Sequence, residues 1–192
     1  MAAQTLGGMS KRGRAAVVAC VAAAGWLLGG CAVRPFSEAE LASMSRAADE
    51  TLGGMRAKEG YLADSIDRSI AQAVFPKIGK GAFFVGFGLG SGVLIEDGEV
   101  TGTCRKTQVS GGYQIGGAVE SEAVLFFSES ALSDFKDGDF ALASRGVAVI
   151  GESGRGYVEE FHGGADEYTS PRVGAMLGVA GALDFYSFRA VE

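Results

Sequence analysis

From position 86 to 92 every second residue is glycine: Gly86-Phe87-Gly88-Leu89-Gly90-Ser91-Gly92. Successive residues of a β-strand point to opposite faces, so all four glycines fall on one face and leave it bare. Each strand glycine costs roughly 0.5–1 kcal/mol, hence about 2–4 kcal/mol for the four. A chain that keeps them must lay another backbone, a helix or a ligand close against that face. Gly111-Gly112 and Gly116-Gly117 repeat the theme. Strand bending or a crossing helix is one reading, and a lipid-facing groove the other. The run is not a nucleotide loop. GxGxxG would need glycine where Ser91 or Val93 stands, and before Gly79-Lys80 the P-loop position is Val74, with Gly81 following the lysine.

The N-terminus constrains location. Lys11, Arg12 and Arg14 are followed by an uncharged run from Ala15 to Gly30, which ends in Leu28-Gly29-Gly30-Cys31. Sixteen helical residues would reach about 24 Å, short of a hydrocarbon core of about 30 Å, which suits a secretory signal better than a spanning helix. The two small residues before Cys31 resemble a lipoprotein cleavage box, with Cys31 as the lipid attachment site and Ala32 after it resembling the default signal for the outer membrane. Residues 1–30 are then the signal peptide and 31–36 a lipidated tether. If Cys31 carries lipid and Cys20 is removed, Cys104 is the one remaining thiol, read as a small buried apolar residue. A Cys31–Cys104 bridge is the alternative.

Loss of the first 30 residues leaves 14 basic against 23 acidic side chains, a net charge of about −9. That argues against nucleic acid as a partner and against non-specific adsorption to an anionic bilayer, so an anionic head group would have to be gripped locally.

Residues 37–75 read as helical. Ser37-Glu38-Ala39-Glu40 is a capping box, and Leu41, Met44, Ala48, Leu52 and Met55 form one apolar stripe, with Gly53-Gly54 weakening its end. A second helix is expected from Leu62 to Phe75, with Ile66, Ile70 and Val74 on one face and Pro76 ending it. The polar face is acidic rather than rich in Lys and Arg, so these helices are expected to dock on the domain's own sheet rather than on a membrane.

From 81 to 192 the texture is β-rich, with short strands expected at 82–87, 92–96, 100–104, 106–110, 112–120, 123–127, 140–150, 172–179 and 183–191. Asp97-Gly98 marks a hairpin turn, and a single helical pattern lies between strands, at Glu129 to Phe135. The expected class is α+β: N-terminal amphipathic helices packed on a strongly bent, Gly-rich antiparallel sheet or barrel.

Chemistry has few candidates. There is no GxSxG elbow, and the single histidine, His162, lies in the loop-like Phe161-His162-Gly163-Gly164. One His and three Cys cannot build a multi-His or four-sulfur metal site. Glu120 and Glu122 share a strand-like face and read as paired carboxylates on a solvated strand. The expectation is a protein without enzymatic activity, cofactor or metal.

Val74-Phe75-Pro76-Lys77, Lys80-Gly81, the Gly86–Gly92 run, Ser110-Gly111-Gly112-Tyr113-Gln114-Ile115-Gly116-Gly117, Val124-Leu125-Phe126-Phe127 and the closing segment from Gly181 to Glu192 together resemble a SYLF domain. The resemblance implies a domain over 37–192 that binds anionic phospholipid or phosphoinositide head groups. Bacterial members resemble this chain in carrying a lipoprotein signal. Where members often have Trp-Ser-x-Pro-Ser, this chain has Gly102-Thr103-Cys104-Arg105-Lys106-Thr107. By that resemblance and by charge, Lys77, Lys80, Arg105 and Lys106 are the candidate phosphate contacts. The expectation is an outer-membrane lipoprotein in contact with an anionic bilayer. The alternative is an envelope module that binds another protein.

Overall fold

The computed structural model describes residues 36–58, 60–138, 141–147, 158–160 and 164–191. The expectations for the signal peptide, for Cys31 and for His162 fall outside these residues. Helix α1 spans Glu38–Lys58. Its capping box is reciprocal: the Ser37 amide donates to Glu40 Oε2 at 2.9 Å and the Glu40 amide to Ser37 Oγ at 3.3 Å. Gly53-Gly54 does not end the helix. Its stripe of Leu41, Met44, Ala48, Leu52 and Met55 packs as expected, joined by Leu62 and Ile66 of α2, Gly60–Arg68.

The helix expected to run to Phe75 stops at Arg68, and strand β1, Ala71–Glu96, takes over. Ile66, Ile70 and Val74 satisfy a helical period, but 71–75 also alternates, with Ala71, Ala73 and Phe75 on one face and Val74 on the other. Pairing decides the outcome: Ala71 to Phe75 lie opposite Phe126 to Glu122 in unbroken antiparallel register. Ile70 is left partly exposed. Pro76 sits at the register shift between Phe75 and Ile78, where a missing N–H is tolerated on an edge strand, and its carbonyl accepts from Ser121 Oγ at 3.1 Å.

The expected short strands merge into long ones: β1 Ala71–Glu96, β2 Glu99–Phe126 and β5 Ala165–Ala190, with β3 Ala141–Val147 and the three-residue β4 Val158–Glu160. The sheet order is β1-β2-β5-β3, with β4 also on β5, all antiparallel. It is open, not a closed barrel. Asp97 and Gly98 both have positive φ, 51° and 81°, as a two-residue hairpin turn requires. Helix α3, Glu129–Asp137, is capped by Ser128, whose side chain accepts from the Ala131 amide, and ends on left-handed Gly138.

What lies against the glycine face is the earlier part of β1, joined at Gly86 and Gly88 by the β2 side chains Ser110 and Gln108. A Cβ added to Gly86 would sit 2.9 Å from Ala82 Cβ. One on Gly88 would sit 3.3 Å from Lys80 Cγ, one on Gly90 2.6 Å from Ile78 Cγ1, and one on Gly92 2.1 Å from the Val74 carbonyl oxygen. These approaches straddle Phe84, so the strand doubles back there and its glycine arm rests on its own N-terminal arm. Phe84 has φ +60°, a left-handed conformation that costs a bulky residue about 1–2 kcal/mol. In the register, Phe84 alone lies opposite three residues, 112–114, of β2. The groove reading of the glycine face is thereby replaced by strand bending.

Two apolar clusters occupy opposite faces of the sheet. Phe75, Ile78, Leu94, Cys104, Val124, Phe126 and Tyr186 pack with Leu132 and Phe135 of α3. Val74, Val93, Ile95, Ala123, Leu125 and Tyr168 pack under α1 and α2. Both clusters are built wholly from residues after position 36, so the compact unit Phe36–Glu192 carries its own core. Cys104 is a buried free thiol whose ionisation is opposed by burial, in line with its reading as a small apolar residue.

Candidate functional site

Two features stand apart from ordinary packing. The first is a buried charge cluster on the glycine face. Cys104, Lys106, Gln108 and Ser110 alternate on β2 and pair directly with Gly92, Gly90, Gly88 and Gly86, so the glycines leave room for the long side chains beside them. The Lys106 side chain is wholly enclosed. Its ammonium bonds Glu122, lies 3.2 Å from Glu167 Oε1 and 3.2 Å from Asp184 Oδ2, and sits 5.3 Å from the centre of the Tyr186 ring. Tyr186 donates to Glu122 Oε1 at 3.1 Å, and Gln108 Nε2 donates to Asp184 Oδ1 at 2.7 Å. Asp184 Oδ2 makes a charge contact with Lys106 without hydrogen-bond alignment. Along β2, Lys106 and Glu122 are separated by the bend, so the cluster ties one arm of the folded sheet to the other.

Three carboxyls around one ammonium divide by protonation. Burial raises Glu122, but the Lys106 charge, a hydrogen bond from Glu167 and the Lys80 charge together hold that carboxyl below the usual range. Burial and the Glu122 charge push Glu167 well above it. Burial also raises Asp184, despite Lys106. Burial opposes the Lys106 charge, yet the carboxylates of Glu122, Glu167 and Asp184 lift its titration above the ordinary lysine value. Glu120, paired with Lys80, is raised by burial.

The linkage signs follow. Glu122 contributes stability that is lost as pH falls through its native value. Glu167 and Asp184 bind protons in the folded state that the unfolded chain has already released, so they lower stability as pH rises from the ordinary carboxylate range through their native values. A Glu167→Gln variant, which keeps a donor and removes the titrating proton, is expected to flatten the loss of stability between pH 5 and pH 8. It should also raise the urea midpoint at pH 8. A lower midpoint at both pH values would contradict this assignment.

The second feature is an apolar surface around the bend. No Asp, Glu, Lys or Arg occurs in 81–95, 107–119 or 173–183, and these three stretches lie side by side in β1, β2 and β5. On the face away from the glycines, Phe87 pairs with Val109 and Val109 with Leu183, while Leu89 and Phe185 flank Thr107. All five of these apolar side chains are exposed. At the crest, Phe83, Phe84, Val85, Tyr113 and Ile115 are 55–83% exposed. The Phe83 and Phe84 rings meet edge-on at 4.9 Å, and Phe84 reaches Tyr113 at 6.4 Å.

The four candidate phosphate contacts do not assemble. Lys106 is consumed by the buried cluster, which corrects its placement on a surface patch. Lys80 is paired with Glu120 and mostly covered. Lys77 is exposed and Arg105 half-buried, with Arg105 Nε buried and without a hydrogen-bond partner among the described residues. Glu122 is fully enclosed rather than on a solvated face, because its ammonium partner lies on the same side of the sheet. Among the described residues no group of His, Cys, Asp and Glu is arranged to hold a metal ion, and no helix is long and apolar enough to cross a membrane.

Scans of family models, of curated proteins and of solved structures find no match to this chain. The class its fold defines is an open α+β antiparallel sheet folded on its own glycines.

Proposed function

We propose that this chain is a non-enzymatic lipoprotein of the bacterial outer membrane, tethered by acyl groups on Cys31, whose SYLF-like domain binds phospholipid bilayers. The observation that carries the reading is the charge-free apolar surface shared by β1, β2 and β5. Exposed contiguous apolar patches of this kind mark membrane or protein contact sites. The tether implied by Leu28-Gly29-Gly30-Cys31 supplies the bilayer, since two or more acyl chains at about 0.8 kcal/mol per buried methylene anchor far more firmly than one patch. Lys77 and Arg105 are the cations left for anionic head groups or phosphoinositides, and the glycine-lined bend presents the apolar surface.

Mass spectrometry of the full chain extracted from membranes in detergent tests the tether. A mature N-terminus at Cys31 bearing diacylglycerol mass is expected. Residues 1–30 still attached, or no acyl mass, would overturn it. For lipid binding, the unit Phe36–Glu192 is expected to float with vesicles of phosphatidylcholine and phosphatidylglycerol. If it stays at the bottom of the gradient with vesicles but captures an envelope protein, the interaction-module reading replaces this one.

A further inference from the structure

Phe84 presents a conflict between fold and residue. It holds a left-handed backbone at φ +60°, the conformation for which glycine is the ordinary choice, and its ring is 55% exposed. The chain uses glycine freely within three residues of it, at Gly81 and Gly86, yet keeps a phenylalanine at the strained position. The fold gains no core burial from that ring, since Phe84 belongs to neither apolar cluster. Its only ring contacts among the described residues are with the likewise exposed Phe83 and Tyr113, and strain retained without burial in a core points to a side chain kept for contact with something else.

Its neighbours share the same character. Phe83, Val85, Tyr113 and Ile115 surround it at the crest, all exposed, and the adjoining 81–95 and 107–119 contain no charge. Three exposed aromatic rings, one bearing a hydroxyl, at the tip of a charge-free fold match the boundary between head groups and acyl chains. Aromatic side chains settle there with the apolar body inward and the hydroxyl wet. The acidic side chains that would oppose entry lie elsewhere: Glu120, Glu122, Glu167 and Asp184 are turned to the interior of the fold.

We infer that the bend at Phe84, with Phe83, Val85, Tyr113 and Ile115, is a membrane-inserting wedge that enters the interfacial layer of a bilayer by apolar contact and does not need anionic head groups. This deepens the lipid-binding reading and rests on it. Lipid specificity then resides in packing at the interface, and Lys77 and Arg105 modulate rather than drive attachment.

The test uses the full acylated chain reconstituted in phosphatidylcholine vesicles, with an environment-sensitive fluorophore on Gly111→Cys. Gly111 lies opposite Val85 at the crest and has open space around its Cβ, as does Gly53 on α1, which serves as the control site; Cys104 is buried. The Gly111 probe is expected to shift to the blue and to be quenched at least fivefold more by lipids carrying a nitroxide near the head group than the Gly53→Cys probe. Adding Phe84→Gly should bring quenching down to the control level while the thermal midpoint stays unchanged or rises, because strain is relieved. A crest probe as wet as the control on protein that is acylated and vesicle-bound would overturn insertion and leave the tether standing. Dependence on phosphatidylglycerol would overturn it in favour of head-group gripping. A blue shift without vesicles that grows with protein concentration would assign the crest to a second copy of the chain. If Cys31 bears no acyl mass, flotation of the Phe36–Glu192 unit and its Phe84→Gly variant decides the wedge alone, and equal flotation of the two would overturn it.

Discussion

A Lys106→Met variant is expected to lose about 3–5 kcal/mol of folding stability, the cost of removing one partner from a buried ion pair. Lys106 is the one cation in contact with Glu122, Glu167 and Asp184 among the described residues, and methionine would fill its volume without its charge. Glu122, held ionised by that ammonium, would then have to take up a proton or remain a bare buried charge. Adding Glu122→Gln to Lys106→Met should recover a large part of the loss, because the partner no longer carries a charge to strand. Urea unfolding of the two single variants and the double variant measures the coupling. Equal destabilisation in Lys106→Met and the double variant would show that the cluster acts through packing alone.

Gly92→Ala is expected to be nearly as damaging, at about 1–3 kcal/mol or more. The added methyl would lie 2.1 Å from the Val74 carbonyl oxygen and 2.8 Å from Phe75 Cδ1. Backbone cannot step aside as a flexible side chain can, so the two arms of β1 must part. Gly111→Ala provides the contrast, with nothing within 4 Å of its added methyl. Thermal unfolding should show a large drop for the first and little change for the second. Comparable midpoints would mean that the arms are not held in contact.

Much of the local structure is written in the chain. The α1 stripe, its capping box, the Asp97-Gly98 turn and helix α3 all follow from spacing and turn chemistry over a few residues. Residues 71–75 defeat the same method, because they satisfy two periods at once and only their register with Glu122 to Phe126 chooses between them. The glycine alternation announces that something must lie against β1, but not that the occupant is an earlier stretch of the same strand, from Val74 to Ala82. Its charge partners were partly legible. Arg105 and Lys106 are adjacent in a strand and must face opposite ways, so they could not share one patch. Glu122 alternates with Val124 and Phe126, a pattern that places its charge on an apolar face, and Lys106 shares its face with Cys104. The apolar crest was less so, because Phe83, Phe84 and Val85 look like ordinary core until the bend turns them outward.

The two-residue turn at Asp97 and Gly98 joins two long neighbouring strands directly, so β1 and β2 can zip outward from a nucleus of minimal loop entropy. β5 has no such advantage, because its register with β2 closes only after the intervening segment has been laid down. During that interval the far edge of β2 presents unpaired amides to any neighbouring chain. The order of assembly therefore makes the newly made polypeptide most vulnerable to aggregation just before its last long strand arrives.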